Sequence, residues 1–238
     1  MSQIKEVAII TGASRGIGEA IAKRLASEGM ITALFGRDVS KLDSVKNSII
    51  KSGGEAISFT GDVTDKEFVH NSVNDILNEF GKIDHLINNA GLAILKKFVD
   101  SDLDEFKQQM EVNVYGIYNF TKAVISGMIE NKNGSVINIS SLAGKNGFVH
   151  GSMYSATKHA VMGFSKSLMM EVRDYNIRVA AVCPGSVATE MIANTPIQPK
   201  DNLKVLQPED VAEVVSTVIK LPVRALVSEI EIRPTNPK

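Results

Sequence analysis

The chain has 238 residues, 44% hydrophobic and 22% charged, with a formal net charge of −1. That length and balance fit one α/β domain over residues 1–238, and the near-zero charge leaves no electrostatic footprint for nucleic acid or a membrane surface. Cys183 is the only cysteine, which excludes an internal disulfide and a cysteine-built zinc site; no metal is expected. "MSQIKEV" has no apolar signal core and no run reaches bilayer length, so a cytoplasmic protein is expected.

In chain order, short runs rich in Val and Ile alternate with longer segments of three-and-four apolar spacing. Strands are expected at 6–10, 31–35, 56–59, 83–87, 135–139, 178–182 and 228–232. Helical spacing is clearest in "EAIAKRLASEG", "EFVHNSVNDILNEFG" and "AVMGFSKSLMMEV". The alternation predicts a parallel sheet of seven strands with helices on both faces. The last strand, "SEIEI", alternates polar and apolar residues as an edge strand does. Residues 186–207, with Pro196 and Pro199, carry few signals of either kind and read as a substrate loop or lid.

Between the first strand and the first helix lies "TGASRGIG", residues 11–18. A helix N-terminus preceded by glycines is an anion site: its free N–H groups and dipole face the ligand. Gly12 allows the turn, Gly16 lets a phosphate approach the backbone, and Gly18 lets the helix pack close to the sheet. Glu19 follows the last glycine, where a Walker A loop needs Lys and Ser or Thr. Further motifs end later strands or follow them: "NNAG" (88–91), "ISS" (139–141), "YSATK" (154–158) and "CPG" (183–185). An open parallel sheet binds its ligand at these carboxyl ends.

These motifs, with "PGSVAT" (184–189), resemble the short-chain dehydrogenase/reductase family over essentially the whole length, in order and spacing. The resemblance implies a Rossmann-type doubly wound sheet and hydride transfer between a nicotinamide cofactor and a carbonyl or secondary alcohol. It implies a catalytic set of Asn113, Ser141, Tyr154 and Lys158, in which Asn113 anchors a water for proton relay and Ser141 holds the substrate oxygen. Ser140 competes for that last role, but spacing favours Ser141. The implied cofactor contacts are Gly12, Ser14, Arg15, Gly16, Ile17, Gly18, Arg37, Asp62, Val63, Asn89, Ala90, Gly91, Tyr154, Lys158, Pro184, Gly185, Val187 and Thr189, with Asp62 at the adenine.

The residues support the chemistry independently. Tyr154 and Lys158 are four apart and share a helix face. A phenol near pKa 10 is too weak an acid–base group at neutral pH, and an adjacent ammonium lowers it. Arg15 and Arg37 predict NADP(H). The resemblance would place the NAD-selecting acid at Gly36, Asp38 reads as a helix N-cap, and two guanidiniums suit a 2′-phosphate.

A non-catalytic dinucleotide-binding regulator is the alternative of another class, but such proteins typically lose part of the tetrad that is complete here. Within enzymes, 3-oxoacyl-acyl-carrier-protein reductase is the alternative to a reductase of small carbonyl compounds. The ending "EIEIRPTNPK" departs from the glycine-containing tail usual in the former. Met191, Ile192 and Ile197 predict an apolar substrate wall, and no charged anchor is legible. His150 is placed near the active-site mouth; His70, His85 and His159 fit no ligand spacing, and Cys183 is given no role. Segment 103–128 and the helix after Tyr154 are apolar on more than one face, and resemblance pairs them across a two-fold axis in a homodimer or homotetramer.

Overall fold

The computed structural model describes residues 5–193, 195–199 and 201–236. Seven parallel strands form one sheet: β1 (Val7–Thr11), β2 (Ile31–Gly36), β3 (Glu55–Thr60), β4 (His85–Asn88), β5 (Gly134–Ile139), β6 (Ile177–Pro184) and β7 (Glu229–Ile232), in the order β3-β2-β1-β4-β5-β6-β7. All seven runs expected from sequence are strands. The five inner strands, β2, β1, β4, β5 and β6, are buried almost throughout, whereas of the two sheet edges β3 is partly buried and β7 alternates exposed and half-buried residues.

Alternation across the pleat divides the core into two layers. Ile10, Leu34, Ile87, Ile139 and Val182 face α1 (Gly16–Ser27), α2 (Val39–Lys51) and α7 (Pro208–Lys220). Ile9, Phe35, Leu86, Val136 and Val179 face α3 (Lys66–Phe80), α5 (Gly116–Asn131) and α6 (Ser152–Val172). Phe35 anchors the second layer, stacked on Phe59 and edge-on to Phe120.

Helix starts follow capping chemistry. Asp38 caps α2 by accepting from the Lys41 N–H, as expected, and Asp65 caps α3. A capping box of Asp102 and Glu105 opens α4 (Leu103–Met110). At α1 the capping position is Arg15, whose side chain makes no cap, so the first N–H groups of that helix stay open.

Two features were not legible in the sequence. Segment 103–128 is broken by one turn of π-helix, Glu111–Tyr115, between α4 and α5. The 186–207 segment is also less irregular than its composition suggests. Val187 and Leu206 form a parallel bridge, the Ala188 N–H donates to Leu206 O at 2.8 Å, and a 3₁₀ turn covers Asn202–Lys204. These bonds pin both ends of the loop to each other; positions 194 and 200 within it lie outside the described residues. No described helix is long and apolar enough to cross a membrane.

Candidate active site

The strand order reverses at β1: the chain runs outward through β2 and β3, then returns to β4 on the other side. The crevice beyond the carboxyl ends of β1 and β4 is therefore the binding position of this topology. Two connected cavities occupy it, of about 500 and 530 Å³, sharing Ile17, Asn89, Gly91, Thr189 and Met191. Every site residue expected from sequence lines one of them except Gly18 and Asn113, which lie beneath.

The first cavity is built on the glycine loop. Gly12 and Gly16 have φ of +65° and +57°, the left-handed region that side chains disfavour. A Cβ at Gly12 would lie 2.9 Å from Ala90 Cα, and one at Gly18 only 2.3 Å from Gly12 O. Backbone alone fits there, and the N–H groups opening α1 remain available. "NNAG" is bolted to this loop: Asn89 Nδ2 donates to Thr11 O at 3.0 Å and Gly12 O at 3.2 Å, while Thr11 Oγ1 accepts from the Asn89 and Ala90 N–H groups, both at 2.9 Å. Loop and strand β4 thus form one rigid cradle, the shape and donor set that a dinucleotide's pyrophosphate requires.

Charge gathers at the outer end of this cavity. Arg37 Nη1 lies 3.6 Å from Asp62 Oδ2. Arg15 pairs with Glu190, and Lys41 Nζ is 3.5 Å from the same carboxylate oxygen. Glu190 is held below the usual carboxylate range, chiefly by Arg15 and then Lys41. Lys41 and Glu190 were missed in the sequence. Lys41 sits in the first turn of α2, and Glu190 follows Thr189 in the loop, so only folding brings them together. Thr189 itself packs over Gly16, where a Cβ would lie 3.2 Å from Thr189 Cγ2.

The second cavity holds the reactive groups. Ser141 ends the β5 segment and caps a 3₁₀ turn, its Oγ accepting from the Ala143 N–H at 3.1 Å. It stands beside Tyr154, which α6 presents half-buried in the cleft. Ser140 is buried and directs its hydroxyl to Lys158 O at 3.4 Å, so Ser141 is the serine beside the tyrosine. Lys158 is 4% exposed, with Nζ donating to Ile139 O at 2.9 Å and standing 5.7 Å from the Tyr154 ring centre.

The expectation that Lys158 lowers the Tyr154 pKa does not hold for the cofactor-free protein. Withdrawal from water pushes the phenol up to about 12 against the opposing Ser141 hydrogen bond, and burial brings Lys158 down to about 8. Desolvation is the largest cause at both groups, and the ammonium donates to Ile139 O rather than to the phenol oxygen.

Asn113 sits in the π-helical turn, fully buried. Its Oδ1 accepts from the Leu92 N–H at 2.7 Å, and Nδ2 donates to Leu92 O at 2.8 Å and Thr157 Oγ1 at 3.0 Å. Both amide donors are thereby used by protein, so this side chain fixes the 89–92 segment against α6. Cys183 is buried, its thiol is pushed up to about 11 by desolvation, and it donates to Met162 Sδ at 3.5 Å, consistent with an inert role.

Met191, Ile192 and Ile197 line the rest of this cavity, the apolar wall expected of the loop, together with Leu95 and Phe148 from outside it. His150 is not among its lining residues, and one residue that sequence reading passed over is: Arg233, just after β7. A basic residue following an edge strand carries no signal of the cleft it will face.

The short chain dehydrogenase family profile matches residues 6–200. Among characterised sequences, a 3-oxoacyl-[acyl-carrier-protein] reductase of Synechocystis is 35% identical over 228 residues, covering 94% of this chain and 92% of that protein. Among solved structures, a metagenomic short-chain oxidoreductase in complex with NADP is 35% identical with a TM-score of 0.86, covering 98% of both chains. An alcohol dehydrogenase from Thermococcus sibiricus, complexed with 5-hydroxy-NADP, is 32% identical with a TM-score of 0.88, covering 97% of both.

Proposed function

This chain belongs to the short-chain dehydrogenase/reductase family of oxidoreductases, and from that premise we propose that it is an NADP(H)-dependent reductase of small carbonyl compounds, acting reversibly on the matching secondary alcohols. The observation that carries the reading is the meeting of Ser141, Tyr154 and Lys158 in a cavity joined to a glycine cradle that only backbone fits. The NADP complexes of similar structures support the cofactor choice.

Gly12, Ser14, Gly16 and Ile17 cradle the pyrophosphate, while Gly18 lets α1 pack closely enough to aim its N–H groups. Arg15, Lys41 and Arg37 receive the 2′-phosphate, and Asp62 and Val63 border the adenine. Asn89, Ala90, Gly91, Pro184, Gly185, Val187 and Thr189 border the remaining length, with Tyr154 and Lys158 at its reactive end. When bound, the cofactor supplies the hydride in reduction and accepts it in oxidation.

The protein's own work is proton handling. Ser141 holds the carbonyl oxygen by a hydrogen bond. Tyr154, protonated at neutral pH, gives that oxygen its proton as the carbon becomes tetrahedral, so C=O becomes CH–OH with charge balanced. The phenolate left behind is stabilised by the Lys158 ammonium and by the Ser141 hydroxyl. Asn113 is a positioning residue through Leu92 and Thr157.

Residues 1–238 act as one domain in which 186–207 is the substrate lid. The exposed Leu103, Tyr115, Tyr118 and Met170 on α4 to α6 support pairing of these helices in a homodimer or homotetramer, which light scattering at micromolar concentration checks. The lone buried cysteine is compatible with the cytoplasm.

A panel of ketones, a dicarbonyl and an acetoacetyl thioester, each with NADPH and NADH, tests the function. Turnover confined to the thioester would support the reading that the Synechocystis relative suggests. NADPH binding with no turnover of any substrate would point to a regulator instead.

A further inference from the structure

We propose that Arg233 recognises a carboxylate on the substrate, which makes short-chain oxo acids and hydroxy acids the preferred substrates; the inference rests on the reductase reading of the same cleft. The lining of the catalytic cavity holds two charged residues among those described, Lys158 and Arg233, and no acid. Lys158 is buried and committed to Ile139 O. Arg233, paired with Glu231 from outside the cavity, is the exposed cation of this lining that a ligand can reach.

Its guanidinium is oriented rather than free. Strand β7 alternates, so Glu229, Glu231 and Arg233 project on one side of the sheet edge. Lys145, from the turn after β5, pairs with Glu229 and lies 2.5 Å from Glu231. Glu231 Oε2 in turn accepts from Arg233 Nε at 3.2 Å and Nη2 at 3.0 Å. Two hydrogen bonds to one oxygen orient the guanidinium plane and leave Nη1 without a hydrogen-bond partner among the described residues. The side chain is more than half exposed, so the pair with Glu231 only favours this orientation of the guanidinium.

Geometry sets the substrate's size. The cavity of about 530 Å³ opens to solvent and also takes the reactive end of the cofactor, which leaves room for a small substrate. A carbonyl at Ser141 and Tyr154 and a carboxylate at Arg233 must share that room, with apolar Leu142, Phe148 and Met191 around the carbons between. A short oxo acid satisfies both ends, whereas a neutral ketone leaves Arg233 unmatched. A carrier-bound thioester also bears an anion, a phosphate far along a flexible arm, and the test separates the two.

The experiment compares 3-oxobutanoate and 4-oxopentanoate with their methyl esters, which remove the charge and little else, using NADPH and the full chain. Arg233→Gln is expected to cut the acid-to-ester ratio of kcat/KM at least tenfold for one of the acids, mostly through KM, and Arg233→Lys to restore part of it. An unchanged ratio in Arg233→Gln, or a native preference for the esters, would overturn the assignment. So would a loss limited to acetoacetyl-coenzyme A. Thermal-shift binding of the same acids, with and without NADP+, gives a readout that does not need turnover. Arg233-dependent binding without turnover would uphold the carboxylate site while removing the reductase reading. Binding of neither acid in the presence of NADP+ would overturn the carboxylate site.

Discussion

The two halves of the cleft solve opposite electrostatic problems. The charged side chains of the adenosine half are exposed and compensated in place: Arg15 and Lys41 by Glu190, Arg37 by Asp62. The catalytic half is apolar, contains no acid among its described lining residues, and buries its lysine. In the first, solvent screens each pair, so single charges contribute little and recognition is tuned in small steps. In the second, desolvation sets the protonation states, so removing one group changes the chemistry outright.

The catalytic half is the easier to break. Tyr154→Phe is expected to lower kcat by roughly 10³-fold or more, with NADPH affinity, read by cofactor fluorescence, unchanged within about twofold. Retained turnover would remove Tyr154 from the proton path. Lys158→Met should also abolish most activity, yet raise the stability of the cofactor-free protein at pH 7. The folded-state pKa of about 8 lies below the ordinary value of 10.5, so holding the ammonium inside costs up to about 3 kcal/mol at neutral pH; the lost bond to Ile139 O reduces the gain. The folded protein binds fewer protons than the unfolded chain between pH 8 and 10.5, so that cost fades as pH rises through this window. Melting curves should therefore show the variant's advantage at pH 7 shrinking by pH 10; an advantage that widens would contradict the burial argument.

The adenosine half should respond more gently. Arg37→Ala is expected to raise the KM for NADPH about tenfold and leave NADH kinetics nearly unchanged. Adding Gly36→Asp should move preference toward NADH at some cost in stability, since a Cβ there lies 3.2 Å from Leu42 Cδ1 and 3.4 Å from Ser14 Cβ. An NADPH preference that survives both changes would relocate the selecting contact to Arg15 and Lys41. The smallest effect is expected from Glu190→Gln, which frees those two cations: NADPH should bind about two- to fivefold more tightly, and the gain should vanish in 0.5 M salt. A gain that persists at high salt would show that Glu190 acts through loop position rather than charge.

The comparison also shows where sequence reading succeeds. The glycine loop, "NNAG", the serine and the tyrosine–lysine pair were legible because each depends on local backbone geometry: a left-handed turn, a strand end, one turn of helix. The seven strands were legible because burial on both faces demands unbroken Val and Ile. Lys41, Glu190 and Arg233 carried no such mark. Each is an ordinary surface charge until the loop, α2 or β7 is placed beside the cleft. The side-chain partners of Asn113 were likewise set only by folding, because the π-helical turn directs its amide donors to Leu92 and Thr157.

By itself, the sequence determined the alternating α/β order and the motifs that gather at the carboxyl ends of the strands, since periodicity and local geometry are encoded within a few residues of one another. Tertiary structure alone decided which charges face one another across the crevice and how far burial moves the pKa values of Tyr154 and Lys158. Those properties depend on distances between groups as far apart in the chain as Arg15 and Glu190, and on the water excluded when the sheet and its helices close.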